Sequence, residues 1–288
     1  MLDHVVIDTN RMPVQEDPRH PGKLTQILLS PEQMGGAVVR ISYWPPGFTE
    51  KLRALIAGKG HRHYHRSVNE RHYVLGGDWT ILHWPESAKA DPIRTKMHRH
   101  HYLENPPKVL HGISDTAPPV TGTKFLVWTS GAGTDIYEPA AKLESIDVEF
   151  GEEAPPDVHN SPIVFNAEDR KWQPHPSQPG WRVKQLSPAV EGLPGVTLVN
   201  IPAGAREPVG GLTPAGTVKH WVYVVSGDLA LEVSSVRGVF PVDLVEGGFC
   251  AWTSESEVTN ADREISAGGA VVLCVGHTLG RTARASRS

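Results

Sequence analysis

Cysteine is nearly absent from this chain. Two residues in 288, Cys250 and Cys274, cannot build a disulfide framework of any size, so a reducing, cytoplasmic setting is the expectation. Long apolar runs are missing too. None approaches the ~18–20 residues of a membrane-spanning helix, and the opening MLDHVVIDTN lacks the basic start and apolar stretch of a secretory signal. Nor is there an excess of one charge. A net charge of −4 and a pI near 6.4 leave no basic footprint for nucleic acid or an anionic membrane. With 39% hydrophobic and 21% charged residues, the composition excludes wholesale disorder.

What the chain does contain is turn residues and histidine. Glycine (28) and proline (25) punctuate it too often for long helical bundles or coiled coils. Nine of the 15 histidines, at positions 61, 63, 65, 72, 83, 98, 100, 101 and 111, fall between His61 and His111. Imidazole is the commonest metal-ligating side chain and the natural proton carrier near neutral pH. Such a cluster points to metal or proton chemistry.

Compared with itself, the chain repeats. Tyr73-Val-Leu-Gly-Gly-Asp-Trp-Thr-Ile81 matches Tyr223-Val-Val-Ser-Gly-Asp-Leu-Ala-Leu231 at an offset of 150. Ile41–Gly47 parallels Leu198–Gly204 upstream, and Phe125–Trp128 parallels Val271–Cys274 downstream. Two copies of one domain follow. In the first, 37–42, 72–75, 79–84 and 124–129 read as strands; in the second, 196–201, 221–225, 230–233 and 270–275 do. Gly76-Gly77-Asp78 and Ser226-Gly227-Asp228 read as hairpin turns, and helix is confined to about 49–57. The expected division is an arm (1–24), a first barrel (25–140), a linker (141–162, within a run from Glu138 to Pro162 rich in Asp, Glu and Pro), a second barrel (163–280) and a tail (281–288).

The first copy carries a ligand pattern. His63 and His65 stand two apart, so a strand projects them from one face. Glu70, five residues on and across a turn, can reach the same point, and His111 offers a fourth ligand from a distant strand. Three imidazoles and a carboxylate suit Fe(II), Mn(II), Ni(II), Co(II) or Zn(II) and leave coordination positions open. His61 shares the parity of the pair and could replace one of them.

These residues resemble the cupin superfamily. Its first motif, G(x)5HxH(x)3-4E(x)6G, is met by His63, His65, Glu70 and Gly77, with Ala57 in the leading glycine slot. Its second, G(x)5PxG(x)2H(x)3N, is met by Pro106 and His111, while His100 and Lys108 fill its two glycine slots and Asp115 its asparagine slot. With the duplication, the chain looks like a bicupin. The resemblance implies an all-β fold of two double-stranded β-helix (jelly-roll) barrels, the first able to hold one metal.

His72 has the parity of Glu70 and is a candidate general acid or base, although a buried histidine can equally be a hydrogen-bonded core residue. Arg94, Lys96, His98 and His100 alternate on one strand face, with Arg99 and His101 on the other; one set could attract an anionic substrate, or the face could simply be solvated. Trp79 and Trp84 read as packing. In the second copy, Thr213, Ala215 and His220 take the positions of His63, His65 and Glu70, and alignment of Leu103 with Leu244 puts Trp252 in that of His111. That copy is expected to bind no metal and to serve as scaffold or dimer surface. The reading of function is an Fe(II) dioxygenase acting on a small aromatic or dicarbonyl-like molecule, in a homo-oligomer without nucleic-acid or membrane partners. A Mn-, Ni- or Zn-dependent lyase, decarboxylase, hydrolase or isomerase is the first alternative, and a non-enzymatic metal-loaded sensor or small-molecule-binding protein the second.

Overall fold

The computed structural model describes residues 4–17, 22–30, 33, 38–47, 61–65, 68–84, 91–113, 122–130, 161–189, 194–206, 220–252, 256–259 and 264–276; the side chains of 61–63, 113, 257 and 259 are outside this description. The expected helix at 49–57, the run from 141 to 160, and Thr213, Ala215 and Asp115 lie outside the described residues. Within them the elements are β-strands, with one 3-10 turn at Ala167–Asp169 and a helical residue at Gln33.

Two compact units share the chain, one formed by 13–169 and the other by 1–12 with 170–288. In chain order the strands are β1 (His4–Asp8), β2 (Gln15–Glu16), β3 (Leu24–Leu29), β4 (Val39–Trp44), β5 (His61–His63), β6 (Asn69–His83), β7 (Ile93–His98), β8 (His101–Asn105), β9 (His111–Ile113) and β10 (Thr123–Ser130). They continue as β11 (Ile163–Asn166), β12 (Gln173–Pro174), β13 (Arg182–Ser187), β14 (Val196–Ile201), β15 (His220–Ser235), β16 (Gly238–Val245), β17 (Gly248–Trp252), β18 (Glu257–Thr259) and β19 (Ala270–Val275). The first sheet runs β11-β8-β6-β10-β4-β3-β2, with β7 and β9 also on β6 and β5 on β9. The second runs β1-β17-β15-β19-β14-β13-β12, with β16 and β18 on β15. The main paths correspond strand for strand, with β5 the one described strand lacking a counterpart, so the internal repeat is a repeat of topology. The architecture is all-β, with two antiparallel sheets consistent with two jelly-roll barrels. Two assignments differ from expectation. Residues 163–166, placed at the head of the second barrel, pair with β8 of the first sheet, and β1 pairs with β17 of the second. In each case a strand covers an edge that would otherwise present unpaired backbone groups.

The expected hairpins at Gly76–Asp78 and Ser226–Asp228 do not form. β6 and β15 each run unbroken through them. Leu75 bulges where β6 meets β10, and Val225 where β15 meets β19, so the long strand bends and serves two sets of partners. Gly77 and Gly227 make the bend with φ of +77° and +84°. The bulge also reverses parity. Glu70, His72 and Val74 face the barrel interior before it, and Trp79, Ile81 and His83 after it. Trp44, Val74, Trp79, Ile81, Met97, Leu103, Phe125 and Val127 form the first core. Trp84 packs separately with Leu82 and Leu110, and both tryptophans are buried.

A Cβ on Gly77 would overlap the carbonyl oxygen of Gly122, and one on Gly227 that of Gly269. These backbone oxygens stand immediately before the paired strands β10 and β19 and cannot move aside cheaply. Gly77→Ala and Gly227→Ala should each destabilise their own barrel by about 3 kcal/mol, read as a shift in denaturation midpoint. Changes under about 0.5 kcal/mol would show that the bend does not depend on glycine.

Candidate metal centre

Glu70 stands near the start of β6 with its side chain inside the barrel, 7% exposed. Its Oε2 atom lies 3.0 Å from His72 Nε2, 3.2 Å from His111 Nε2 and 3.5 Å from His65 Nε2. Asn105, opposite Glu70 on β8, donates from Nδ2 to the same oxygen at 3.3 Å. Ligand atoms of His65, Glu70 and His111 all lie within 4.8 Å of one another, the one such group among the described residues. His63 pairs with His111 through the backbone register of β5 and β9, and His61 pairs with Ile113. The side chains of His61 and His63 lie outside the described residues.

The donor chemistry fits a cation. His111 Nδ1 donates to the carbonyl of Val109 at 2.8 Å, which fixes its tautomer. A neutral imidazole has only that one N–H, so Nε2 turns a lone pair toward the lone pairs of Glu70 Oε2. That contact is attractive only with a proton or a metal ion between them. The group is buried, with His65 3%, His72 6% and His111 2% exposed, so the positive charge must sit inside the barrel.

The two residues in the glycine slots of the second motif, His100 and Lys108, adopt left-handed backbone conformations, both with φ of +68°. An L-residue held there costs about 1–2 kcal/mol. The turns are fastened by backbone hydrogen bonds, His100 N–H to Val74 O at 2.9 Å and Lys108 N–H to His65 O at 2.7 Å. The second of these ties the loop preceding His111 to the segment after β5 that carries His65. Lys108→Gly should therefore stabilise the protein by about 0.5–1 kcal/mol without changing metal content; a loss of stability would show that the left-handed conformation carries no strain.

Outside the ligand set, Arg94, Lys96 and His98 are exposed, and Lys96 pairs with Asp78 at 3.4 Å. His100 shares a 2.9 Å hydrogen bond with the Tyr73 hydroxyl. This strand face is solvated. Sequence reasoning assigned no role to His83 or Asn105. His83 pairs with His111 across β6 and β9 and is 3% exposed. Its parity looks wrong until the bulge at Leu75 is known.

In the second barrel, His220 takes the register of Glu70, opposite β17. The expected slot for Trp252 needs correction. Trp252 lies opposite His220, as Asn105 lies opposite Glu70, so it matches Asn105. The position of His111, opposite His83, corresponds to Val258, opposite Val233. The Leu103–Leu244 alignment slipped because loop lengths differ between the copies. The described slots still supply no second metal-ligand group.

Burial works hardest against ionising Glu70, yet the electrostatic pull of His72 and His65, and then of His111, outweighs it. The carboxyl is held well below its ordinary 4.5. Burial lowers His72 below 6.5 against the upward pull of Glu70, with His111 and Arg40 adding to the lowering. Burial and then the charge of His111 push His83 down to about 3. For all three, the unfolded chain takes up protons first as pH falls, so each shift makes acid destabilising. The loss should begin below about pH 6.5 for the two histidines, reach toward pH 3 for His83, and gain Glu70 below about 4.5. Between pH 7.5 and 5 the share of His83 alone is on the order of 2 kcal/mol. Denaturant midpoints of the metal-free protein should fall over that interval; a flat profile would refute the buried neutral histidines.

No protein-family model and no curated protein matches the sequence. Solved structures do. A Trp-to-Tyr variant of Bacillus subtilis oxalate decarboxylase is similar at 13% identity and a TM-score of 0.59, over 96% of this chain and 78% of that one. An Arg-to-Ala variant of the same enzyme gives 14% and 0.60, over 98% and 79%. Protein Ylba from E. coli gives 11% and 0.58, over 97% and 92%. Likeness at these identities is likeness of fold. The chain has the bicupin fold, and its first cupin barrel carries one buried His/Glu/His cluster of metal-ligand type.

Proposed function

We propose that the first barrel is the active site of a metal-dependent enzyme acting on a small organic molecule. One divalent metal is held by His65, Glu70 and His111, with His63 as the fourth ligand. The observation that carries this reading is the lone-pair contact at Glu70: three imidazole Nε2 atoms within 3.5 Å of one carboxylate oxygen, one of them with its only proton committed elsewhere. Borderline donors of this kind suit Fe(II), Mn(II), Ni(II) or Zn(II).

When bound, the metal supplies Lewis acidity and, as iron(II), the electrons of dioxygen chemistry. The chain's residues supply position, dryness and proton handling. His72 stacks on Trp79 at 5.5 Å and on Phe125 at 5.3 Å, which fixes its ring beside Glu70. Kept neutral by burial, it can accept a proton at Nδ1, which has no hydrogen-bond partner. Trp44, Trp79 and Phe125 form an aromatic wall with centroids 4.8–5.0 Å apart. That wall favours a substrate with a flat or apolar body and supports an Fe(II) dioxygenase as the leading reading. The second reading, a Mn-type decarboxylase or lyase, draws on the likeness to oxalate decarboxylase.

His65→Ala and His111→Ala should each lower bound metal at least about tenfold, since each removes a direct ligand. Glu70→Gln should weaken binding while leaving the fold, because it removes the one ligand charge. His220→Ala should leave one metal per chain. Metal analysis after anaerobic purification checks all four. Iron with oxygen uptake on aromatic or dicarbonyl compounds selects the dioxygenase; manganese with oxygen-independent release of carbon dioxide selects the decarboxylase. Full occupancy in His111→Ala would overturn the ligand assignment.

A further inference from the structure

The interior of the first barrel holds polar groups that the ligand set does not use. Arg40 on β4 lies opposite Val127 of β10, and Val127 lies opposite His72 of β6. Directly opposed residues share a face of the sheet. Val127 belongs to the interior core, as does Trp44, which has the parity of Arg40 on the same strand. Arg40 is therefore aimed into the barrel, half-buried and with its Nε enclosed, and its charge is felt at His72. Two strand spacings and one two-residue step put its Cα about 12 Å from that of Glu70, close enough for one small molecule to reach both.

Next to it on the same face, Ser42 is 0% exposed and its Oγ has no hydrogen-bond partner. Asn105, also 0% exposed, has an unpartnered Oδ1. An unmet polar group in a protein interior costs about 1–3 kcal/mol, so two on one barrel wall point to a polar ligand. The second barrel serves as an internal control. Its register puts Thr197 in the place of Arg40, Val199 in that of Ser42 and Trp252 in that of Asn105. Where the ligands are lost, these polar groups are lost with them. Arg94 and Lys96 are exposed and do not compete for this role.

We propose that Arg40 binds an anionic group of the substrate, with Ser42 Oγ as a second donor, and that the substrate is therefore a small organic carboxylate whose apolar body lies on Trp79 and Phe125. The inference rests on the enzyme reading above and adds the substrate class. A planar guanidinium matches a carboxylate with two parallel hydrogen bonds, and the low dielectric of an apolar wall strengthens that attraction.

Zinc-loaded protein, which is redox-inert, is titrated with acetate, propionate and benzoate and with the matching amides, and zinc content is measured on the same samples. At least one carboxylate should bind more tightly than its amide. Arg40→Met should weaken that binding about tenfold or more and leave amide binding and zinc content unchanged. Arg40→Lys, which keeps the charge, should recover part of the loss, and Ser42→Ala should weaken binding about threefold. Both variants keep the test decisive if Arg40→Met fails to fold. Equal binding of every carboxylate and its amide, or carboxylate binding unchanged in Arg40→Met, overturns the proposal. Arg40-dependent carboxylate binding in a protein that takes up no zinc supports the anion site and overturns the metal reading instead.

Discussion

A carboxylate enclosed in a β-barrel is the constraint around which the first barrel is arranged. Removing Glu70 from water would cost several kcal/mol if nothing compensated it. Asn105 donates one hydrogen bond at 3.3 Å, which is too little for a full charge. Three imidazole nitrogens occupy the remaining space around Oε2, and His111 has no proton left to offer on that side. The barrel is thus built for a positive charge at one point. A divalent metal held there would compete with protons for the same few atoms, which would link metal affinity to acidity.

The second barrel shows what the same backbone does without that constraint. Strand order, the two bulges and the bending glycine recur. The interior does not: Glu70 becomes His220, His72 becomes Val222, Asn105 becomes Trp252 and His111 becomes Val258. Trp252, Val222, Cys250 and Cys274 then close into an apolar core. Burial pushes the Cys250 thiol up to about 12 and that of Cys274 up as well, so both are inert packing groups. A filled barrel needs no ligand to be stable, whereas the first barrel gives up packing to keep polar groups inside.

Much of this was legible in the residues. The His-x-His…Glu spacing, the offset repeat and the alternation of strands are local signals, and His65, Glu70 and His111 do converge. Failures occurred where meaning depends on register. Gly76-Gly77-Asp78 has hairpin chemistry, yet β6 continues, because a bulge can use the same positive φ to bend a strand. Once parity flips at Leu75, His83 joins the interior, which no period-2 reading would give. Arg40 resembles any charged residue on a half-exposed strand; only its pairing through Val127 to His72 turns it inward. Trp252 was misplaced because a slip of a few residues between copies cannot be seen without the ladder.

Two residues in left-handed conformations, His100 and Lys108, help the site hold its shape. Glycine would take φ of +68° at no steric cost, but His100 and Lys108 do so with side chains in place. Such strain persists only where surrounding contacts over-determine the backbone. At Lys108 the contact is the 2.7 Å hydrogen bond to the His65 carbonyl; two residues before His111, the Val109 carbonyl receives the His111 Nδ1 proton. One short loop therefore fixes the backbone of one ligand and the tautomer of another. Relaxing Lys108 toward an ordinary conformation would release both together, so these contacts hold the turn in the left-handed region.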